Sequence, residues 1–235
     1  MSDTTISPQI GVLKEKSLHS GIKDWYAQEG DLFEVPYEGY VIDIIRDSKL
    51  IEIQTGNFGS IKNKLNSLSK SNQIELIYPI IENKWIIRLD ETGVEISKRK
   101  SPKRGKIEDI FSQLIFIPEV IIKPEIQLHV LILDVNEFWK NDGKGSWRRK
   151  KWSKVDQKII RVTNSIFFTT IDDYQNLIAK GIPKKFTSSD LALNNDISKK
   201  QAQKMCYALR KMNLIKNTGK SGRSYIYEIS NLQDH

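Results

Sequence analysis

Two isoleucine-rich segments, Tyr40–Arg46 and Leu50–Thr55, lie on either side of the dipeptide Asp47-Ser48 and constrain the fold more than any other feature. Their Val and Ile content and the turn residues between them are typical of two antiparallel strands. If the hairpin turns at Asp47-Ser48, the numbers of paired residues sum to 95, and Asp43 lies directly opposite Glu52. Directly opposed side chains have Cβ atoms about 4.5–5.5 Å apart. The sequence therefore predicts two facing carboxylates within a hairpin.

Facing carboxylates repel each other, and a divalent cation bound through their oxygens removes that repulsion. Mg²⁺ or Mn²⁺ held by Asp43 and Glu52 would polarise a phosphodiester, activate a water molecule and stabilise the leaving oxygen. The alternative interpretation places both acids on a solvated sheet face. We favour the cation because nearly all flanking positions are apolar. The opposite face is predicted to be an apolar layer formed by Ile42, Ile44, Ile51 and Ile53.

The segments around this hairpin predict an α/β fold. Apolar residues at helical spacing predict a helix over residues 11–27, and Ser60 is suited to cap a second helix that ends near Leu68. The order over the first 90 residues is therefore helix, three strands, helix and two strands. A further helix is predicted over Ile107–Ile115. The other predicted strands are Leu32–Val35, Ile74–Ile80, Lys84–Leu89, Gln127–Val135 and Ile159–Val162.

The pattern changes near residue 169, after which short helices and a short hairpin follow. Their order resembles the winged helix-turn-helix family, with glycines in the turn TGKSGR at the tip of the wing. We predict two domains, the first over residues 1–165 with a basic insert, and the winged helix over residues 166–235. The helices are predicted over Ile171–Ala179, Ser188–Leu193 and Ser198–Met212, and the strands over Leu214–Asn217 and Ser224–Ile229.

The net charge of +8 is unevenly distributed along the chain. Residues 184–223 hold ten basic and two acidic side chains, residues 98–106 hold six basic ones, and residues 140–154 hold seven basic ones and one acid. A single run of this kind is equally well explained as solvated surface. Three such runs in one chain favour a polyanionic partner, and nucleic acid is the partner we expect.

Composition excludes several other classes of protein. The single cysteine, Cys206, excludes an internal disulfide framework and a CxxC zinc site. No Ser/His/Asp arrangement stands out among three histidines, and the GxxxxGK[ST] phosphate loop is missing. No apolar run approaches the roughly 18 residues that span a bilayer, and the polar start of the chain is unlike a signal peptide. We therefore expect a cytoplasmic protein that does not cross a membrane.

Asp43, followed after eight residues by Glu52-Ile53-Gln54, resembles the signature of the PD-(D/E)XK nuclease superfamily. The resemblance covers roughly residues 10–90 and implies a restriction-endonuclease core, in which helices flank a central mixed sheet. It also implies that Asp43 and Glu52 are metal ligands and that the carbonyl of Ile53 adds a third oxygen. Gln54 stands where the family usually has lysine. Glutamine orients a water molecule but supplies no positive charge.

Two helices offer further candidates. Glu15 and His19 are spaced i, i+4 on the first helix, among residues predicted to face the core. By the resemblance, Glu15 becomes a third acid near the metal, and His19 a contact to the phosphate or the water. On the second helix, Lys62 and Lys64 are both candidates to replace the missing lysine, and Lys64 is the preferred one. The alternative is a satisfied core histidine and ordinary surface lysines.

The predicted DNA contacts lie mainly on the winged helix. The helix Ser198–Met212 would face a major groove, and the wing would contact an adjacent phosphate or minor groove. The segment WRRKKW over residues 147–152 suits stacking and phosphate contact, or else packs into the domain junction. Residues 101–106 form a basic loop near the substrate path. The candidates are Lys199, Lys200, Gln203, Lys204, Tyr207, Lys220, Arg223, Arg148, Arg149, Lys103 and Arg104.

Together these patterns predict a Mg²⁺- or Mn²⁺-dependent endodeoxyribonuclease that a winged helix positions on DNA. The architecture is similar to that of nuclease subunits of mobile-element, repair or defence systems. A homodimer or a partner subunit in a larger nucleoprotein complex fits the same prediction. One alternative is a catalytically weak nuclease fold that serves as a DNA-binding scaffold or regulator. The other is a protein-interaction module in which the winged helix and the basic runs bind an acidic partner.

Overall fold

The computed structural model describes residues 17–144, 147, 151–178 and 180–230. It confirms an α/β fold in which helices flank a large mixed sheet. The 3₁₀ turns Phe58–Ile61 and Ile107–Ile110 lead into α2 and α3. The helices are α1 (Ser17–Tyr26), α2 (Lys62–Leu68), α3 (Phe111–Leu114), α4 (Pro118–Ile121), α5 (Ile171–Gln175), α6 (Ser188–Asn194) and α7 (Lys199–Lys211). The strands are β1 (Leu32–Tyr37), β2 (Tyr40–Arg46), β3 (Lys49–Ile53), β4 (Ile74–Leu89), β5 (Glu95–Lys100), β6 (Ile126–Lys140), β7 (Ser153–Phe168), β8 (Ile215–Ser221) and β9 (Ser224–Ile229).

The sheet has the strand order β1-β2-β3-β4-β6-β7, and β5 pairs with the outer half of β4. The first three strands form an antiparallel meander. The chain then crosses over through α2, so that β4 runs parallel to β3. A second crossover through α3 and α4 brings β6 parallel to β4, and β7 returns antiparallel to β6. No helix of the described residues is long and apolar enough to cross a membrane.

The predicted register of the β2–β3 hairpin is confirmed. Ile44 pairs with Ile51, and the two further pairs toward the turn keep the same sum of 95. Asp47 and Ser48 have φ values of 45° and 68°. Positive φ at both central residues is the geometry of a type I′ turn, whose twist matches that of the flanking strands. Asp-Ser therefore makes the two-residue turn on which the facing carboxylates depend.

Three strands are longer than the sequence predicted. The segments Ile74–Ile80 and Lys84–Leu89 are one strand, β4, because a register shift between Ile81 and Asn83 accommodates one extra residue. A bulge of this kind lets a strand continue while its side-chain alternation is reset. β6 extends to Lys140, and β7 spans 16 residues where only four had been predicted.

Two apolar clusters cover the two faces of the sheet. The smaller one joins Leu18 and Ile22 of α1 to Ile44, Ile51 and residues of β4 and β6. The larger one contains Ile42 and residues of α2, α3 and α4. The prediction that Ile42 shares a face with Ile44 is therefore wrong. Regular alternation stops at Asp43, where the hydrogen-bonded ladder between β2 and β3 ends.

The C-terminal segment shares the larger cluster with the sheet. α5, α6 and α7 are followed by the antiparallel hairpin β8–β9, and Phe186 bridges to Tyr227 of β9. Met205 and Leu209 of α7 are buried in the same cluster as Phe111 and Leu114 of α3. β7 continues to Phe168, so the predicted domain boundary between residues 165 and 166 lies within that strand.

Candidate functional site

Asp43 and Glu52 lie at the end of the hairpin that is remote from its turn. The ladder between β2 and β3 stops at Ile44 and Ile51, and beyond it the carboxylate of Asp43 accepts a hydrogen bond from the N–H of Ile53 at 2.8 Å. That bond ties the Asp43 side chain to the end of β3. Glu52 is only 5% exposed. The strands thus hold one half-buried and one buried carboxylate at neighbouring positions.

Lys64 reaches this pair from α2. Its ammonium nitrogen lies 2.5 Å from Oε1 of Glu52 and donates a hydrogen bond of 2.5 Å to the carbonyl of Val41. The parallel crossover from β3 to β4 places α2 over the hairpin, which brings Lys64 inward while Lys62 is exposed. Of the two predicted lysines, the structure therefore brings Lys64 to the carboxylates. Ser60, the predicted cap of this helix, lies within the preceding 3₁₀ turn, which Asn57 caps.

His19 approaches Asp43 from the other side of the sheet. Its Nε2 atom lies 3.3 Å from Oδ2 of Asp43, and both side chains are largely buried. The contact follows from the packing of α1, because Leu18 and Ile22 anchor the helix in the smaller cluster. The structure therefore brings together His19, Asp43, Glu52 and Lys64. Glu15 lies outside the described residues.

The two carboxyl groups differ in proton affinity. Burial raises the pKa of Glu52 to about 7, although Lys64 acts in the opposite direction, and the charge of Asp43 adds a smaller increase. Burial also acts to raise the pKa of Asp43, but hydrogen bonds from His19 and from the Ile53 N–H outweigh it and lower that pKa below its ordinary value. Near neutral pH, Asp43 is therefore ionised, whereas Glu52 is protonated in part of the molecules.

The donor set fits a divalent cation with few protein ligands. Oε1 of Glu52 is buried and makes no hydrogen bond of acceptable geometry with any described residue, although it forms an ion pair with Lys64. Among the described residues, no group of three or more His, Cys, Asp or Glu side chains is arranged to hold a metal ion. Mg²⁺ commonly binds through one or two carboxylates and keeps several waters. Asp43 and Glu52 are two carboxylates of this kind, and their role as metal ligands stays a prediction.

Gln54 and Ile53, beside Glu52 in the chain, make hydrogen bonds that the sequence did not predict. The side chain of Gln54 donates to the Asn57 carbonyl at 3.2 Å and to Ser60 Oγ at 3.1 Å, and it accepts from the Gly56 N–H at 3.3 Å. Gln54 therefore stabilises the loop between β3 and α2, and its contacts do not include the carboxylates. Ile53 contacts Asp43 through its N–H, and the role of its carbonyl as a metal ligand stays a prediction.

The predicted recognition helix, α7, is exposed along one stripe only. Lys199, Lys200, Gln203 and Tyr207 are exposed. Lys204, one turn after Lys200, is half-buried and donates to Ser112 of α3 at 2.9 Å, so its ammonium is engaged within the protein, and its contact with DNA stays a prediction. Gln201, also on α7, makes similar contacts. Its side chain accepts a hydrogen bond from the Ser112 hydroxyl and donates one to the carbonyl of Glu108. Packing against α3 therefore uses part of the polar surface that the sequence assigned to DNA.

The remaining predicted cations lie at the periphery. Lys220 and Arg223 are exposed around the β8–β9 turn, and Lys220 lies 5.0 Å from the centre of the Tyr225 ring. Lys103 is exposed in the loop after β5. Arg104 is also exposed there and forms an ion pair with Glu82 at 2.7 Å. Arg148 and Arg149 lie outside the described residues.

A second polar cluster was missed because its members are far apart in the sequence. Ser165 Oγ lies 2.6 Å from Nε2 of His129, whose Nδ1 lies 2.9 Å from Glu75, and Glu75 also accepts from the Tyr26 hydroxyl. The order resembles a serine triad, but His129 is 2% exposed and Phe167 stacks on its ring at 3.8 Å. A triad histidine must pass its proton to the leaving group. An enclosed ring does not allow that, so we interpret the cluster as support for α1.

Comparisons with known proteins place most of the chain in one family. Residues 16–169 match the family described as "Domain of unknown function (DUF8091)". The match ends directly after β7, so α5–α7 and the β8–β9 hairpin lie beyond it. An uncharacterized protein of Treponema pallidum (strain Nichols) is 29% identical over 184 residues, which cover 78% of this chain and 73% of the relative. No solved structure matches the chain.

Proposed function

The chain belongs to the DUF8091 family, and from the geometry of its carboxylate site we propose that it is a metal-dependent nuclease that hydrolyses phosphodiester bonds in DNA. The observation that carries the proposal is the pair Asp43 and Glu52, held at the end of a hairpin with Lys64 in contact with Glu52. A buried carboxylate and a half-buried one beside a lysine are suited to chemistry on a phosphate group. The order α1, three antiparallel strands, α2 and a parallel strand supports a PD-(D/E)XK-like core.

In this proposal, Asp43 and Glu52 would hold Mg²⁺ or Mn²⁺. The bound cation would polarise the scissile phosphate and lower the pKa of a water molecule. Lys64 supplies the positive charge that Gln54 lacks, and its ammonium would stabilise the oxygen charge that develops in the transition state. His19, beside Asp43, would keep the Asp43 carboxylate ionised and hold a proton near the reacting water.

The C-terminal segment supplies the positioning element of the proposal. α6 and α7 followed by the β8–β9 hairpin resemble a winged helix-turn-helix, and Thr187 and Ser198 cap the two helices. The exposed stripe on α7, together with Lys220 and Arg223 of the wing, would contact the DNA backbone. Phosphate contacts of this kind orient a protein on the duplex without selecting its sequence.

The contacts of Gln54 favour a second candidate, a nuclease fold that binds DNA without cleaving it. Gln54 is engaged in its own loop, and no third acid joins the carboxylate pair among residues 17–144 and the other described parts of the chain. A protein of this type would bind DNA through the same exposed cations. It would show neither metal-dependent cleavage nor cation binding at Glu52.

The test uses supercoiled plasmid and single-stranded circular DNA, each incubated with Mg²⁺, Mn²⁺ or EDTA. We expect metal-dependent nicking or linearisation by the wild type and none by Glu52→Gln. Glu75→Gln is the matched control, because Glu75 is equally buried in the same sheet but lies outside the site. Cleavage by Glu52→Gln at the wild-type rate would overturn the proposal. Retained DNA binding with no cleavage by either protein would favour the second candidate.

A further inference from the structure

A groove crosses the outer part of the sheet, where β4, β5 and β6 extend beyond the helices. Its volume is about 450 Å³, and it is lined by four cations and two indole rings together with smaller residues. We call it the basic groove. Its cationic and aromatic residues are Lys84, Arg88, Arg99, Lys103, Trp139 and Trp152.

The bulge in β4 determines which side chains face the groove. After the register shift, Lys84 pairs with Val135 of the smaller cluster, so Lys84 and Arg88 lie on the face of the sheet that α1 covers elsewhere. β5 contributes Arg99 to the same groove from the neighbouring strand. Local sequence does not reveal this set, because its members come from three strands and two loops.

One acid in the groove is already neutralised. Glu137 is 5% exposed, and Lys84 lies 3.3 Å from both of its carboxylate oxygens. Trp139 donates its ring N–H to the same carboxylate at 2.9 Å. Arg88, Arg99 and Lys103 are exposed, and none of them forms an ion pair with a described residue. Three uncompensated cations therefore face the opening.

The aromatic residues of the basic groove are suited to a ligand that has flat aromatic rings as well as negative charge. The guanidinium of Arg88 lies 4.9 Å from the centre of the Trp152 ring. Arginine planes and indole faces are the surfaces on which nucleic-acid bases stack, and such stacking tolerates any base sequence. A base within a duplex is already stacked on both faces. Stacking on the protein therefore requires unpaired nucleotides.

A neighbouring groove on the same part of the sheet has the opposite charge. It is about as large, at about 580 Å³, and shares Trp152 as a common wall. Its charged residues are three acids and one lysine, namely Asp90, Glu91, Asp142 and Lys140. The contrast between two grooves on either side of one indole shows that positive charge is concentrated on one side.

We propose that the basic groove binds an unpaired segment of single-stranded DNA. A base stacks on Trp152, and the flanking phosphates contact Arg88, Arg99 and Lys103. The inference goes beyond the proposed nuclease, because it concerns equilibrium binding and stands whether or not the carboxylate site cleaves. It also specifies the form of the substrate, a strand that is single at least locally.

Fluorescence anisotropy with labelled oligo(dT), in EDTA so that cleavage plays no part, tests the groove directly. We expect Arg99→Glu to weaken oligo(dT) binding by about tenfold or more, since phosphate contacts dominate such affinities. Lys140→Glu is the matched control, with the same charge change across Trp152, and it should weaken binding by less than about twofold. Equal losses for the two variants would overturn the groove as the binding site.

Stacking requires a second comparison. Trp152→Ala should weaken oligo(dT) binding by about fivefold or more, as expected for the loss of one base–aromatic contact. Trp25 is an exposed tryptophan of α1 that does not line the groove, so Trp25→Ala should leave the affinity for oligo(dT) unchanged. The affinity for a blunt duplex should fall much less in Trp152→Ala than the affinity for oligo(dT). An unchanged affinity of Trp152→Ala for oligo(dT), or an equal loss of affinity for oligo(dT) and for the duplex, would contradict the proposal. An oligo(U) arm tests whether the groove also accepts RNA.

Discussion

Burial raises the pKa of Glu52 from its ordinary value of 4.5 to about 7, although Lys64 opposes the rise. An acid whose pKa is higher in the folded protein binds its proton more tightly when folded, so protonation favours folding. The free energy of unfolding should therefore fall as pH rises from about 4.5 to about 7, by on the order of 3 kcal/mol from Glu52. Asp43 acts in a different window, because its lowered pKa gives stability that is lost only as pH falls below 3.8.

Urea unfolding of metal-free protein across this range measures the effect. Glu52→Gln removes the titrating group, so we expect the free energy of unfolding of the variant to change much less between pH 4.5 and pH 7 than that of the wild type. Glu75→Gln should keep the wild-type slope, because the pKa of Glu75 is lowered, mainly by His129 and Tyr26 against the effect of burial. Parallel slopes for Glu52→Gln and the wild type would show that Glu52 is not responsible.

Lys64 and Lys62 lie two residues apart on α2, but only Lys64 contacts the carboxylate pair. If Lys64 stabilises developing charge, Lys64→Ala should lower kcat by about 10²–10³-fold, the range found when one such donor is removed. Lys62→Ala should leave kcat unchanged. Initial rates of nicking over a range of plasmid concentrations, at saturating Mg²⁺, give kcat and KM for both variants. A change confined to KM in Lys64→Ala would show that Lys64 binds substrate without assisting the reaction.

The sequence predicted the hairpin register correctly, because a two-residue turn and the strand period of two fix the pairs from Arg46–Lys49 to Ile44–Ile51. The direct facing of Asp43 and Glu52 extrapolates that register by one pair and stays a prediction. The role of Gln54 was not predictable, because its hydrogen bonds depend on how the loop after β3 folds back on Asn57 and Ser60. His129 and Glu75 meet only because β4 and β6 are neighbours, and no spacing along the chain encodes that.

The lysines of helix α7 fall into two groups, one exposed and one packed against α3. Lys200 is exposed, whereas Lys204, one turn later, donates to Ser112 of α3. We expect Lys200→Glu to weaken duplex binding by about tenfold at low salt, because a phosphate contact becomes a repulsion. Lys204→Glu should lower the free energy of unfolding and change affinity less. Anisotropy with a labelled duplex and urea unfolding of both variants separate the two effects, and equal affinity losses would contradict the division.

The long strands explain why element boundaries were harder to predict than element types. A bulge between Ile81 and Asn83 fuses two predicted segments into β4, and the sequence signal for a bulge resembles the signal for a turn. Ile42 and Ile44 belong to different clusters, and the paired ladder between β2 and β3 ends between them, where the Asp43 side chain accepts from the Ile53 N–H. A prediction from the two-residue period of a strand assumes that the pairing of β2 and β3 continues without interruption.

For the whole chain, the larger apolar cluster is the feature with the widest consequences. It extends from Ile42 in the hairpin to Tyr227 in β9, so the sheet and the C-terminal helices share buried surface. The sequence suggested two domains, because the pattern of elements changes near residue 169, and the sequence does not show which residues make contact across that change. Shared burial of this kind favours cooperative unfolding.

The chain contains natural probes for that cooperativity. All five tryptophans lie before residue 153, and the single cysteine, Cys206, is 1% exposed within α7. Burial raises the pKa of its thiol to about 12, so Cys206 should react with a thiol reagent only when α7 opens. We expect tryptophan fluorescence and Cys206 reactivity to change at the same urea concentration. Reactivity that appears at a lower concentration would show that the C-terminal segment unfolds independently.

Binding of Mn²⁺ followed by electron paramagnetic resonance tests the central claim most directly, because it does not depend on substrate or on an activating partner. The account predicts that the wild type binds Mn²⁺, that Mg²⁺ displaces it, and that Asp43→Asn and Glu52→Gln each lose most of the binding. Glu75→Gln should bind as the wild type does. Absence of binding by folded wild-type protein, or undiminished binding by both site variants, would contradict the assignment of Asp43 and Glu52 as the metal ligands of a nuclease.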